Sequence, residues 1–223
     1  MRLILVRHGQ TPANVLGQLD TAHPGPGLTE RGHEQAAGIP DALRAEPVDA
    51  IFASTLTRTQ LTAAPLANER GLAVTILGGI HEIEAGDLEG KSDRDSVRAY
   101  LEAVFAWGLG DLDAGMPGGP DGHNFFGRFN ADIAEIVESG IETAVVVSHG
   151  AAIRVWVAGN AGNITPKFVG DHELMNTGIV ILEGSFDDGW TLLEWEQYPV
   201  GGASALDQAA ADPTGETLDE AAK

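Results

Sequence analysis

Leu3-Ile4-Leu5-Val6-Arg7-His8-Gly9-Gln10-Thr11 is the stretch on which the fold turns. Four apolar residues without polar alternation read as a short strand buried on both faces, the kind a parallel sheet uses. That strand runs directly into Arg-His-Gly. The pattern recurs as Ala144-Val145-Val146-Val147-Ser148-His149-Gly150. One strand-terminal His is ordinarily a hydrogen-bonded structural residue, and Arg7 alone could pair with one of the many acids. Two such strands of the same polarity instead place both imidazoles at one sheet edge, where parallel sheets open their ligand crevice. Gly9 permits a tight turn, and Arg7 offers a fixed fork for phosphate or carboxylate oxygens.

Outward from these strands, Val48–Ala53 and Ala73–Leu77 read as two more. Thr29 is placed to cap a helix running toward Arg44 and bending near Pro40. A second helix is expected from Leu56 to Arg70, kinked at Pro65 and closed by Gly71. Helical spacing of apolar residues also covers Asp95–Trp107 and Phe126–Glu138. Strand–helix alternation predicts an α/β fold, a three-layer sandwich with a mainly parallel central sheet and helices on both faces. Segments 178–183 and 190–196 around Asp187-Asp188-Gly189 predict a hairpin, which puts an antiparallel strand at one edge.

The 223 residues are 43% hydrophobic and 21% charged, enough for one sizeable core over 1–200. Beyond Gly201 large apolar residues fade to Leu206 and Leu218, so 201–223 is expected to be an acidic, disordered tail. Residues 108–122, rich in Gly, Pro and Asp, are expected to form a long loop of the lid or binding type. Thirteen Lys and Arg against 33 Asp and Glu leave a net charge of −20, which disfavours nucleic acid and anionic membrane partners. No cysteine is present, which excludes thiolate chemistry and Cys-type metal sites. The apolar start meets Arg7 and His8 too soon for a signal peptide, so a cytoplasmic protein is expected.

Two further stretches carry chemistry. In Ser54-Thr55-Leu56-Thr57-Arg58, a cation stands in the first turn of a helix, unfavourable against the dipole unless an anion binds nearby. His81-Glu82-Ile83-Glu84-Ala85-Gly86-Asp87-Leu88-Glu89-Gly90 is acidic and loop-like. It begins like the zinc motif HExxH, but Ala85 breaks that match. The residues themselves do not select one of these four acids.

RHGQTPAN at 7–14, SxLxR at 54–58, EIEAGDLEG at 82–90 and VVVSHG at 145–150 occur in that order. Together they make the chain, over roughly 1–195, resemble the histidine phosphatase superfamily, in the branch that holds phosphoglycerate mutases and small-molecule phosphatases. The resemblance implies that His8 is the nucleophile and that Arg7, Arg58 and His149 surround the phosphoryl oxygens. It implies substrate binding by Asn14, Gln10, Thr11 and Gly150, with Glu82 as acid and then base, and with no metal or cofactor. The implied activity is hydrolysis of a small phosphorylated metabolite through a phosphohistidine. Alternatives are mutase-type phosphoryl transfer and a non-catalytic phospho-ligand binder, and a homodimer is left open. Three departures stand out. Leu61-Thr62-Ala63 replaces the usual Gln-Thr-Ala, and Gly119-Pro120-Asp121 replaces Gly-Glu-Ser. Residues 91–128 hold no adjacent Arg pair for a substrate carboxylate.

Overall fold

The computed structural model describes residues 1–200 and 212–215. Its strands are β1 (Arg2–Arg7), β2 (Ala50–Ser54), β3 (Val74–Leu77), β4 (Thr143–Ser148), β5 (Ile179–Ser185) and β6 (Gly189–Glu196). They form one sheet in the order β3-β2-β4-β1-β5-β6. The first four are mutually parallel, whereas β5 runs antiparallel to β1 and β6 antiparallel to β5. The expected hairpin forms at one end of the sheet, and β5 is the strand that runs against the other five. Between the strands lie α1 (Pro12–Val15), α2 (Glu30–Ala42), α3 (Thr57–Arg70), α4 (Arg94–Gly108), α5 (Gly122–Glu138), α6 (Gly150–Asn160) and α7 (Pro166–Asp171). Among the described residues no helix is long and apolar enough to cross a membrane.

Strand alternation sorts the core into two faces. Leu3 and Leu5 join Tyr100 of α4, Phe125 and Phe129 of α5 and Trp156 of α6. Ile4 and Val6 join Ile39 of α2 and Ala63 and Leu66 of α3. This is the expected three-layer sandwich. In the central pair Leu5 lies beside Val146 and Arg7 beside Ser148, so Arg7-His8 and Ser148-His149 leave the sheet at the same level.

Local capping agrees with the sequence. Thr29 accepts a hydrogen bond from the Gly32 amide at 3.0 Å, and Gly71 ends α3 with φ of 66°. Helix α6 is absent from the pattern-based reading, because Gly150–Ala158 is buried all round and carries no amphipathic period. The loop between α4 and α5 supports the acidic segment. The Asp87 amide donates to Pro117 O at 2.8 Å, and Met116 is buried in the core. Of the expected tail, Asp212–Gly215 lies against Arg7, while 201–211 and 216–223 lie outside the described residues.

Helix α2 meets the Arg-His-Gly turn backbone to backbone. A Cβ on Gly9 would stand 2.6 Å from Gly32 O, and one on Gly32 would stand 2.2 Å from Gln10 O. Neither backbone atom can yield as a flexible side chain would. Gly32→Ala is expected to destabilise by about 1–3 kcal/mol, as overpacking does. Thermal unfolding should show this as a fall of about 2–4 °C in Tm per kcal/mol, and an unchanged Tm would contradict the contact.

Candidate active site

The turn after β1 is pinned at every backbone group. The His8 amide donates to Ser148 O at 3.1 Å, and the Asn176 side chain donates to His8 O at 3.1 Å. Thr177, in the left-handed region at φ of 59°, donates its amide to Arg7 O at 3.1 Å. The Gly9 amide donates to Thr62 Oγ1 at 2.9 Å. Thr62 belongs to the departing Leu61-Thr62-Ala63 stretch, so the residue that matters to the turn is retained.

His8 Nδ1 lies 2.8 Å from Gly9 O. A carbonyl only accepts, so Nδ1 carries the hydrogen and Nε2 keeps its lone pair. Burial, reinforced by the Arg58 and Arg7 charges, holds His8 well below the ordinary histidine range. It is therefore neutral and nucleophilic at neutral pH. The His149 ring stands edge-on, 5.2 Å from the His8 ring. Its Nε2 is engaged by Ser54 Oγ at 2.8 Å, and burial likewise lowers its pKa.

Among the described residues, six buried side-chain polar atoms lack a protein partner. Arg7 Nε, Arg58 Nε and His149 Nδ1 are three of them. Each such group costs about 1–3 kcal/mol when left unpaired, and three on residues around His8 suit an anion there, although of the three only Arg58 lines the cleft, Arg7 and His149 being buried behind it. The rest of Arg58 is held by Asp20, whose O accepts from Nη2 at 2.8 Å and whose Oδ2 lies 3.3 Å from Nη1. A cation in the first turn of α3 is thereby tolerated.

A narrow cleft reaches His8, lined also by Thr11, Asn14, Gln18, Asp20, Arg58, Glu82 and Thr214. It encloses about 240 Å³ of free space, counting its open mouth. Asn14 Oδ1 accepts from the Thr11 amide at 2.9 Å and from Asn176 Nδ2 at 3.2 Å. The Asn14 side-chain Nδ2 is left as a donor on the cleft lining, its backbone amide being taken by Thr11 Oγ1 at 3.2 Å.

The structure separates the four acids that the sequence left equivalent. Only Glu82 lines the cleft. It is buried against the start of α6, where Oε1 accepts from the Ile83 and Ala152 amides, both at 2.9 Å. Burial raises its pKa, and the amide hydrogen bonds and Arg58 oppose without cancelling. Glu84 is driven the other way. Burial acts to raise it, but its hydrogen bond to His81 and the Arg128 charge bring it down to about 2. It stays ionised and cannot serve as an acid near neutrality. Glu89 accepts from the Thr21 and Ala22 amides at 2.9 and 3.1 Å, steadying the loop that carries Asp20. Asp87 lies against Gly118 of the α4–α5 loop.

Two expected binding residues lie off the cleft lining. Gln10 accepts from Thr29 Oγ1 at 2.8 Å, facing α2, and Gly150 sits against Thr214 O. Trp107 is core, stacked on Phe125 with its Nε1 donating to Ala114 O at 2.9 Å. Several functional positions escaped sequence reading. Asp20 and Gln18 sit in a featureless loop. Arg128 on α5 donates to Glu82 O at 2.8 Å and to His81 O at 2.8 Å, gripping the loop of the acid from a remote helix. Among the described residues no group of three His, Cys, Asp or Glu could hold a metal.

A family model for the histidine phosphatase superfamily (branch 1) matches residues 3–197. The chain is 40% identical over 215 residues to the PE-PGRS family protein PE_PGRS11 of Mycobacterium tuberculosis, covering 89% of this chain but 37% of that protein. It thus spans little more than a third of that relative's length. It is 33% identical to adenosylcobalamin/alpha-ribazole phosphatase of Escherichia coli, over 71% of this chain and 78% of that one. To a 2,3-bisphosphoglycerate-dependent phosphoglycerate mutase of Brucella melitensis it is 32% identical, over 81% and 90%. Among solved structures, a mycobacterial glucosyl-3-phosphoglycerate phosphatase superposes with a TM-score of 0.75 at 26% identity, over 88% and 99%. Paired His-Gly strand ends, two buried arginines and a buried Glu on a helix N-terminus, within a family match over residues 3–197, place this protein in the histidine phosphatase superfamily.

Proposed function

We propose that the protein is a phosphatase hydrolysing a small phosphate monoester through a phosphohistidine at His8. The observation that carries this reading is the neutral, pre-oriented His8 beside two buried guanidinium donors and a buried ring nitrogen of His149 that lack partners among the described residues. In the first step the Nε2 lone pair attacks phosphorus, the bond to the ester oxygen breaks, and Glu82 gives that oxygen its proton. In the second, Glu82 takes a proton from water, whose oxygen attacks phosphorus and returns His8 to its free form. Arg7 and Arg58 balance the charge on the transferring phosphoryl oxygens, and His149 offers a ring nitrogen beside them as a hydrogen-bonding group.

Substrate preference follows from the cleft mouth. Among its described lining residues Arg58 is the one formal cation, and Asp20 sets a carboxylate beside it. A leaving moiety bearing its own carboxylate meets repulsion there, which favours esters of neutral alcohols and disfavours mutase action on phosphoglycerates. The curated phosphatase relative supports the hydrolytic reading.

Rapidly quenched intact-mass measurement with an aryl phosphate should show one added phosphoryl group, absent in His8→Ala; an adduct surviving that change would overturn the nucleophile. Glu82→Gln should lose about 10²–10⁴-fold on an alkyl phosphate and much less on an activated aryl phosphate. Because burial lowers His8 and raises Glu82, kcat/KM should hold up below pH 6.5 and decline on the basic side as Glu82 loses its proton. Glu82→Gln should abolish that basic limb. Arg58→Lys should cost about 10²-fold in turnover with little change in Tm, since a point charge does not reproduce the guanidinium fork.

A further inference from the structure

Asp212-Pro213-Thr214-Gly215 stands in a compositionally featureless stretch, yet it is a locally encoded turn. Asp at the first position, Pro at the second and Gly at the fourth are the residues a type I turn prefers. The turn is formed, with the Gly215 amide donating to Asp212 O at 3.0 Å. Its residues Pro213, Thr214 and Gly215 are buried.

The turn sits in a socket made of active-site parts. Arg7 Nη2 donates to Thr214 Oγ1 at 2.9 Å and also to the Asp212 carboxylate. Arg7 Nη1 donates to Leu174 O at 2.7 Å, and the Leu174 amide donates to Gly215 O at 3.0 Å. Two glycines make the fit possible. A Cβ on Gly150, the residue after His149, would stand 2.5 Å from Thr214 O, and one on Gly215 would stand 2.1 Å from Arg7 Nη1. Thr214 also forms part of the cleft wall that contains His8 and Glu82.

We infer that Asp212 is a positioning residue for Arg7 and that Thr214 is part of the substrate pocket, so that the C-terminal turn completes the active site. With both terminal nitrogens of Arg7 held by Asp212, Thr214 and Leu174, its plane is fixed, and Nε, which has no partner among the described residues, is a donor open to a phosphoryl oxygen. A fully buried guanidinium on one soft side chain otherwise has several rotamers in which Nε misses the ligand. This inference rests on the phosphatase reading, because it assigns Arg7 an anion to bind.

The test uses orthovanadate as the probe, with binding read by calorimetry and turnover read on an aryl phosphate. Asp212→Asn and a chain ending at Ala211 should each bind orthovanadate about tenfold to a hundredfold more weakly, with kcat/KM falling in parallel. Asp212→Glu should recover part of the loss. In an Arg7→Lys background, Asp212→Asn should add little, since a residue acting through Arg7 has nothing left to position. Asp212→Asn is the deciding variant should the shortened chain fail to fold. Unchanged orthovanadate affinity in Asp212→Asn, full additivity with Arg7→Lys, or a gain in turnover on shortening would overturn the inference. The gain would mean that Asp212 competes with phosphate for Arg7. Failure of the unaltered chain to bind orthovanadate would remove the functional reading itself, which separates the two cases.

Discussion

The burial of Arg7 at the end of the central strand is the constraint around which the rest is arranged. A guanidinium with no solvent exposure is costly unless its charge and its donors are answered. Here the terminal nitrogens are answered by Leu174 O, Thr214 and Asp212, drawn from segments more than 160 residues away in sequence. Nε has no partner among the described residues. The second buried arginine repeats the arrangement, with Asp20 on its outer nitrogens and Nε unpaired. The protein thus keeps two cations buried and oriented, each with its Nε unpaired among the described residues. That is the electrostatic preorganisation that phosphoryl transfer requires.

The same economy governs the proton chemistry. Glu82 and Glu84 are two residues apart and share a loop, yet their environments push them in opposite directions. Glu84 is exposed enough to reach His81 and Arg128, and stays ionised. Glu82 points inward to the first amides of α6, where burial outweighs the hydrogen bonds it accepts. The helix that begins after His149 therefore orients the acid as well as following the second histidine. Its missing N-cap side chain is explained by this, because Glu82 takes the amides that a cap would have satisfied. The α4–α5 loop and Arg128 hold the acid from behind. The loop that composition marks as of the lid or binding type packs on the acidic segment through Pro117 and Gly118.

Under the proposed phosphatase function, a protein of net charge −20 must attract its anionic substrate at short range. Exposed acids are screened over about 8–10 Å in ordinary salt, whereas buried arginines under the sheet edge are screened far less. The excess of acids and the phosphoryl pocket are therefore compatible, because they act over different distances.

Much of this was legible in the residues alone. Apolar runs in Leu3–Val6 and Ala144–Val147 specify buried parallel strands, because only such strands dispense with polar alternation. Arg7-His8-Gly9 and His149-Gly150 at their ends specify a shared edge. Thr29 and Gly71 specify helix ends through local hydrogen bonding and left-handed backbone. What the sequence could not select was which acid is buried, which carbonyls Arg128 grips, and where Asp212 goes. The α6 helix was equally hidden, since a segment buried on all sides shows no period. Local structure follows from neighbours a few residues apart, so sequence determines it. Burial, pKa and the partners of a buried charge depend on groups brought together from Asp20, Glu82, Leu174 and Asp212. Only the closed tertiary structure sets those distances, and with them the chemistry.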